Sequence, residues 1–161
     1  MRVPSKTVRI LTCLAALSAP LAVACAEAPA AGTEQAKTEP LAILAQDGRR
    51  AFQVEVMRND AQRAKGLMYR RSMPADHGML FDFERPLPVN MWMKNTYIPL
   101  DMVFIRSDGS IARIAADTEP LSTQIIASGE PVLAVLELNA GTAAKLGIRA
   151  GDRIEHPLFR R

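Results

Sequence analysis

The 161-residue chain predicts a mainly β protein: one compact antiparallel β-sandwich or barrel-like domain with two short helices. Three observations carry that class. Apolar runs of strand length recur along the chain, some alternating with polar residues and some apolar at nearly every position. Two Asp-Gly pairs, Asp47-Gly48 and Asp108-Gly109, lie between such runs as two-residue hairpin signals. Only two stretches, after Asn59 and after Asn139, combine a helix-capping residue with a nearby glycine stop.

The chain does not open as a domain. Arg2, Lys6 and Arg9 precede an apolar stretch from Ile10 to Ala24, broken by Thr12, Ser18 and Pro20. Ala24-Cys25-Ala26 follows, and this is the layout of a secretory signal peptide over residues 1–26. The apolar part is shorter than the ~20 residues of a spanning helix. Cleavage after Ala26 releases a soluble protein. Leu21-Ala22-Val23-Ala24-Cys25 also resembles a bacterial lipobox, which would put a lipid on Cys25, although Ala22 departs from the larger aliphatic residue usual there. Both routes stay open. Residues 27–40 are small, polar and proline-bearing, and read as a flexible tether. Residues 41–161 form the expected domain. The expected location is therefore the periplasm, or the cell envelope through a lipid anchor, with no other membrane contact.

The net charge of +3 comes from 20 basic and 17 acidic residues. Removing Arg2, Lys6 and Arg9 leaves 17 against 17, so the basic character belongs to the export signal. No basic block remains, and nucleic acid is not an expected partner. Cys13 and Cys25 both fall in the leader. The domain thus has no disulfide, thiolate nucleophile or cysteine-held zinc.

Leu41–Gln46 and Arg50–Met57 form the arms of the first hairpin, with Phe52, Val54 and Val56 on one face. Asn59 caps a short helix, Gln62 completes its capping box, and Gly66 ends or bends it. Gly78–Phe83 reads as a strand, and Pro86 and Pro88 as a turn. Asn90–Lys94 and Leu100–Arg106 follow as strands, and the second hairpin leads into Ser110–Asp117. A loop from Thr118 to Glu130 precedes Pro131–Leu138, apolar enough for a central strand covered on both faces. Asn139 starts a short helix through Lys145, stopped by Gly147, and Arg153–His156 closes the chain as a strand.

Six segments in order, GLMYR (66–70), GMLFDF (78–83), MWMKNT (91–96), PLDMVFI (99–105), LEL-x-AG (136–141) and GIRAGD (147–152), closely resemble the domain-of-unknown-function family number 192, also called uncharacterised protein family 0127. The resemblance runs from about Phe52 to the C-terminus. It implies a compact, mainly β domain, often exported, and assigns no activity.

Candidate site residues cluster around Asn90–Arg106. Trp92 shares a strand face with Asn90 and Lys94, so an indole lies beside amide and ammonium donors, a platform for a sugar or planar ring. The plain alternative is a core or edge tryptophan. Lys94, Asn95 and Thr96 form a polar cluster, and Arg70 and Arg71 add cationic candidates. Asp101 shares a face with Val103 and Ile105, where a carboxylate must be hydrogen-bonded or neutralised. It is expected to brace the Asn95–Ile98 loop. Glu137 shares a face with Leu133 and Val135, near enough to the strand end to reach solvent. Asp101 with Glu137, His77 or Lys94 would supply acid–base chemistry.

Seven methionines lie between Met57 and Met102. His77, Met91 and Met93 form a soft copper-ligand alternative, against the reading that methionine fills core gaps. His77 and His156 are expected in surface loops. Common catalytic motifs are absent, and no cofactor is expected. The sequence favours a binding or accessory module for a small polar ligand or an envelope protein partner. A hydrolase or isomerase of a polar substrate and a copper-handling protein are the alternatives.

Overall fold

The computed structural model describes residues 37–160; the leader, Cys25 and residues 27–36 of the tether lie outside the described residues. Seven strands form one curled sheet: β1 (Thr38–Ala45), β2 (Gly48–Met57), β3 (His77–Met91), β4 (Leu100–Ile105), β5 (Ile111–Thr118), β6 (Ile126–Asn139) and β7 (Arg153–Glu155). Two short helices, α1 (Asp60–Lys65) and α2 (Thr142–Lys145), interrupt the series, and Pro157–Phe159 adds a turn of 3-10 helix. The spatial order is β5-β4-β6-β3-β2-β1-β7. The edges meet at one end, where Ile111 N–H donates to Asp152 O and Ile154 N–H to Gly109 O, both at 2.8 Å. The mainly β, barrel-like class is thus realised as a half-barrel rather than two stacked sheets.

All neighbours are antiparallel except β2 and β3, which run parallel. A parallel pair needs a long crossover, and residues 58–76, containing α1, supply it. Asn59 Oδ1 accepts from Gln62 N–H at 2.9 Å, and Gln62 Oε1 reaches back to Arg58 N–H at 2.9 Å. Asn59 thus satisfies one orphan donor of the helix start, and Gln62 ties down the residue before the cap.

The curl creates two apolar regions. Its inside holds Leu41, Ile43, Phe52, Val54, Leu80, Val103, Ile105, Leu136 and Leu138, contributed by nearly every strand. The outer face of β3, β6 and β4 holds Met79, Phe81, Leu100, Met102, Phe104 and Val135. Leu67 and Met93, from the loops after α1 and after β3, cover this second region. β4 and β6, fully buried along Leu100–Ile105 and Val132–Leu138, separate the two.

Several local expectations change. β1 begins at Thr38, inside the stretch read as tether. Pro86 and Pro88 do not end a strand; β3 continues through them, with register shifts between Asp82 and Leu87 and between Pro88 and Asn90. Proline has no N–H for a ladder, so the irregularity sits where prolines are tolerated. At the same place β6 turns both Leu133 and Ala134 inward, which separates Leu133 from Val135. Trp92–Lys94 leave the sheet as a loop. Asn139 does not cap α2; its amide donates to Met73 O at 2.9 Å, and Gly141, at φ 77°, takes the cap position. His156 is buried rather than on a surface loop, because its Nδ1 accepts Leu158 N–H at 3.2 Å and caps the final turn.

Candidate functional site

A cavity of 160 Å³ opens on the outer face, beside the C-terminal end of α1. Leu67, Phe81, Phe83 and Met91 give it apolar walls, Asn90, Trp92, Lys94 and Thr96 bring polar groups to it, and Glu137 reaches it from β6. Glu137 pairs in register with Met79 on β3 and Met102 on β4, so its side chain rises from the centre of the sheet. It is 4% exposed rather than reaching solvent at a strand end. Among the described residues it accepts and donates no side-chain hydrogen bond. Burial alone pushes its carboxyl up to about 8. At neutral pH the group is therefore a neutral carboxylic acid, able both to donate and to accept.

The walls are fixed by local chemistry. Arg63 is clamped by Asp60 at 2.6 Å, Glu84 at 3.3 Å and Asp82 O at 2.6 Å. Gly66 has φ 47°, and a Cβ there would meet the Phe81 ring at 3.1 Å, so glycine lets the helix end close on the cavity wall. The loops interlock through backbone bonds: Tyr69 N–H to Asn95 O at 2.8 Å, Met93 N–H to Ser122 O at 3.0 Å and Leu121 N–H to Thr96 O at 3.0 Å. Tyr69, Asn95 and Leu121 hold positive φ of 66°, 57° and 64°. Such backbone costs on the order of 1–3 kcal/mol per residue and persists where surrounding contacts over-determine it.

The structure sorts the sequence candidates. Trp92, Lys94, Thr96 and Glu137 line one cavity. Trp92 is 46% exposed, with the Lys94 ammonium 5.3 Å from its ring centre. Lys94 forms no ion pair among the described residues. Asn95 is not a wall residue; its amide donates to Tyr69 Oη at 2.9 Å and its left-handed backbone shapes the loop. Arg70 is held by Glu55 through two bonds of 2.5 and 2.6 Å. Arg71 lies over Tyr97, 5.6 Å from the ring centre.

Asp101 lies on the inner face and is fully buried. It does not brace Asn95–Ile98. Its Oδ1 accepts Asp117 N–H at 2.9 Å and Gly141 N–H at 3.2 Å, and its Oδ2 accepts Ala143 N–H at 2.8 Å. It caps α2 in place of Asn139 and ties β5 to that turn. Asp101 and Glu137 occupy adjacent strands but point to opposite faces, so they form no acid–base pair. His77 contacts Asp76 at 2.8 Å and is not part of the cavity lining.

The methionines mainly pack. Met93 is fully buried and its sulfur accepts the Thr118 hydroxyl at 3.2 Å, while Met91 lines the cavity wall. Sequence reasoning missed Asn90 as a wall residue in its own right, along with Lys65 and Phe83; their approach depends on where α1 lands, which no local pattern records.

Comparison with known proteins places these features in a family. The family model DUF192, described as Uncharacterized ACR, matches residues 42–156. A crystal structure of a candidate transcription regulator from Sinorhizobium meliloti 1021 is 52% identical, covers 74% of this chain and 93% of its own, and superposes with a TM-score of 0.72. A protein of unknown function from Novosphingobium aromaticivorans DSM 12444 is 39% identical, covers 81% and 94%, and gives a TM-score of 0.74. No match was found among curated proteins.

Proposed function

Because this chain belongs to the DUF192 family, whose description assigns no activity, we propose its function from the cavity itself: it is a binding module for a small polar ligand, acting in the cell envelope. One observation carries the reading, the unpartnered Glu137 carboxyl at the cavity. Burying an ionisable group without a partner is destabilising. Keeping Glu137 protonated at pH 7, against an ordinary value of 4.5, costs about 3 kcal/mol, from 2.5 pH units at about 1.36 kcal/mol each. A fold that needed only packing would hold methionine or leucine there, as its neighbours Met79 and Met102 do. A cost of this kind at a cavity wall supports the reading of a site there.

The test is protein-observed NMR with a library of small polar fragments. Hits should shift the indole N–H signal of Trp92, the only tryptophan, and lose most of their affinity in Glu137→Leu, which removes both the donor and the acceptor. Hits that bind Glu137→Leu as well as wild type would remove the role given to this carboxyl.

A second reading rests on the same raised carboxyl. A carboxylic acid kept protonated near neutrality is suited to general-acid catalysis. Of the partners expected from sequence, only Lys94 shares its cavity. Turnover governed by a group titrating near 8 and abolished in Glu137→Gln would favour an enzyme.

The regulator description belongs to the Sinorhizobium protein. It is not carried over as DNA binding, since the 17 to 17 charge balance beyond the first nine residues supports no basic face. The envelope location rests on the leader pattern: with Cys25 lipidated, Cys25→Ser should move the protein from the membrane to the soluble envelope fraction. Wild type already soluble there would favour cleavage after Ala26.

A further inference from the structure

We propose that the cavity selects a small organic anion, a planar carboxylate carrying an oxygen at its far end. The carboxylate meets Lys94 and Lys65 at the mouth, the flat body lies along Trp92 and the apolar walls, and the distal oxygen meets Glu137. This rests on the cavity being a ligand site and names the chemistry of what it takes.

The charges around the cavity are one-sided. Arg63, Lys65 and Lys94 line it, and Glu137 is the sole acidic residue that does. Arg63 is neutralised by Asp60 and Glu84, but Lys65 and Lys94 have no ion-pair partner among the described residues. Two free ammonium groups at a partly apolar opening raise the local concentration of small anions and leave a cation without a counter-charge. Glu137 does not supply that counter-charge, because its burial keeps the carboxyl neutral. A neutral carboxyl instead donates a hydrogen bond to a ligand oxygen.

Size and shape narrow the class. The 160 Å³ volume falls below the roughly 300–1,000 Å³ of sites for drug-sized ligands, so the ligand is small. A bare inorganic anion would leave the walls of Leu67, Phe81 and Met91 unused. A ring or conjugated plane fills them and stacks on the half-exposed indole.

The probes are 4-hydroxybenzoate, its neutral amide 4-hydroxybenzamide, the cation tyramine, and inorganic phosphate, each titrated at pH 7 while following the Trp92 indole signal. The carboxylate should bind about tenfold or more tighter than the amide. Lys65→Gln with Lys94→Gln should erase that difference, bringing the carboxylate to the affinity that the amide has for the same variant. Carboxylate binding should also weaken as pH rises above about 8, when Glu137 ionises beside an anion. Equal binding of carboxylate and amide, or preference for tyramine, would overturn the anion assignment while leaving a ligand site. Phosphate binding as tightly as 4-hydroxybenzoate would overturn the planar organic body. If no probe moves the Trp92 signal, both this inference and the binding function fail.

Discussion

The two faces of the β4–β6 pair treat a buried carboxyl in opposite ways. Asp101 faces inward and accepts three backbone N–H groups, from Asp117, Gly141 and Ala143. Glu137 lies across the adjoining register pair, faces outward, and has no hydrogen-bond partner among the described residues. Sequence distance and burial do not separate them; hydrogen-bond supply does. The inner carboxyl sits where the irregular end of β5 and the turn into α2 bring spare donors together, so it stabilises. The outer one stands between Met79 and Met102 and receives no hydrogen bond among the described residues, so burial neutralises it instead. The lesson is that a buried acid braces the fold where the backbone completes it and stays unsatisfied where only a cavity faces it.

The largest test of that contrast is removal of the inner group. Asp101→Ala should cost about 3 kcal/mol or more in denaturant unfolding, since each donor left unpaired loses on the order of 1–3 kcal/mol. Asp101→Asn keeps an acceptor and should cost about 1–3 kcal/mol. A stabilised Asp101→Asn would erase the distinction between the two faces.

Glu137→Gln should act with the opposite sign. The folded carboxyl titrates near 8 and the unfolded one near 4.5. Its stability contribution is therefore complete below 4.5 and falls as pH rises toward 8. The variant should match wild type near pH 4 and exceed it by about 3 kcal/mol at pH 7. Parallel stability curves from pH 4 to 9 would mean that the carboxyl finds a partner in solution.

A smaller effect sharpens the comparison from the inner side. Burial, more than the opposing pull of Glu39, lowers the His156 value, and its Nδ1 must stay unprotonated to accept Leu158 N–H. Its contribution is present above 6.5 and is lost as pH falls below that. His156→Asn keeps a capping oxygen and should flatten the acid limb below pH 6.5, leaving the alkaline limb set by Glu137 unchanged. An unchanged acid limb in His156→Asn would show that another group controls it.

Much of this was legible beforehand. The Asp-Gly hairpins, the Asn59–Gln62 capping box and the apolar run of β6 are local patterns, fixed by turn geometry, backbone donors and strand periodicity. The grouping of Trp92, Lys94 and Thr96 was legible because they are neighbours in the chain. The family resemblance was legible as six short segments in order. Partners distant in sequence were not. Asn139 has the chemistry of a helix cap, yet Asp101 performs the capping from another strand, because the sheet register carries its carboxylate to Gly141 and Ala143. Arg70 looked like a ligand contact until β2 placed Glu55 opposite it. Glu137 looked free to reach water until α1 and the loop after β3 closed over the outer face. Sequence alone determined the mainly β class, the two Asp-Gly reversals and which residues carry charge. Only the tertiary structure decided which charges are satisfied, because that depends on donors and acceptors tens of residues away brought together by curling one sheet.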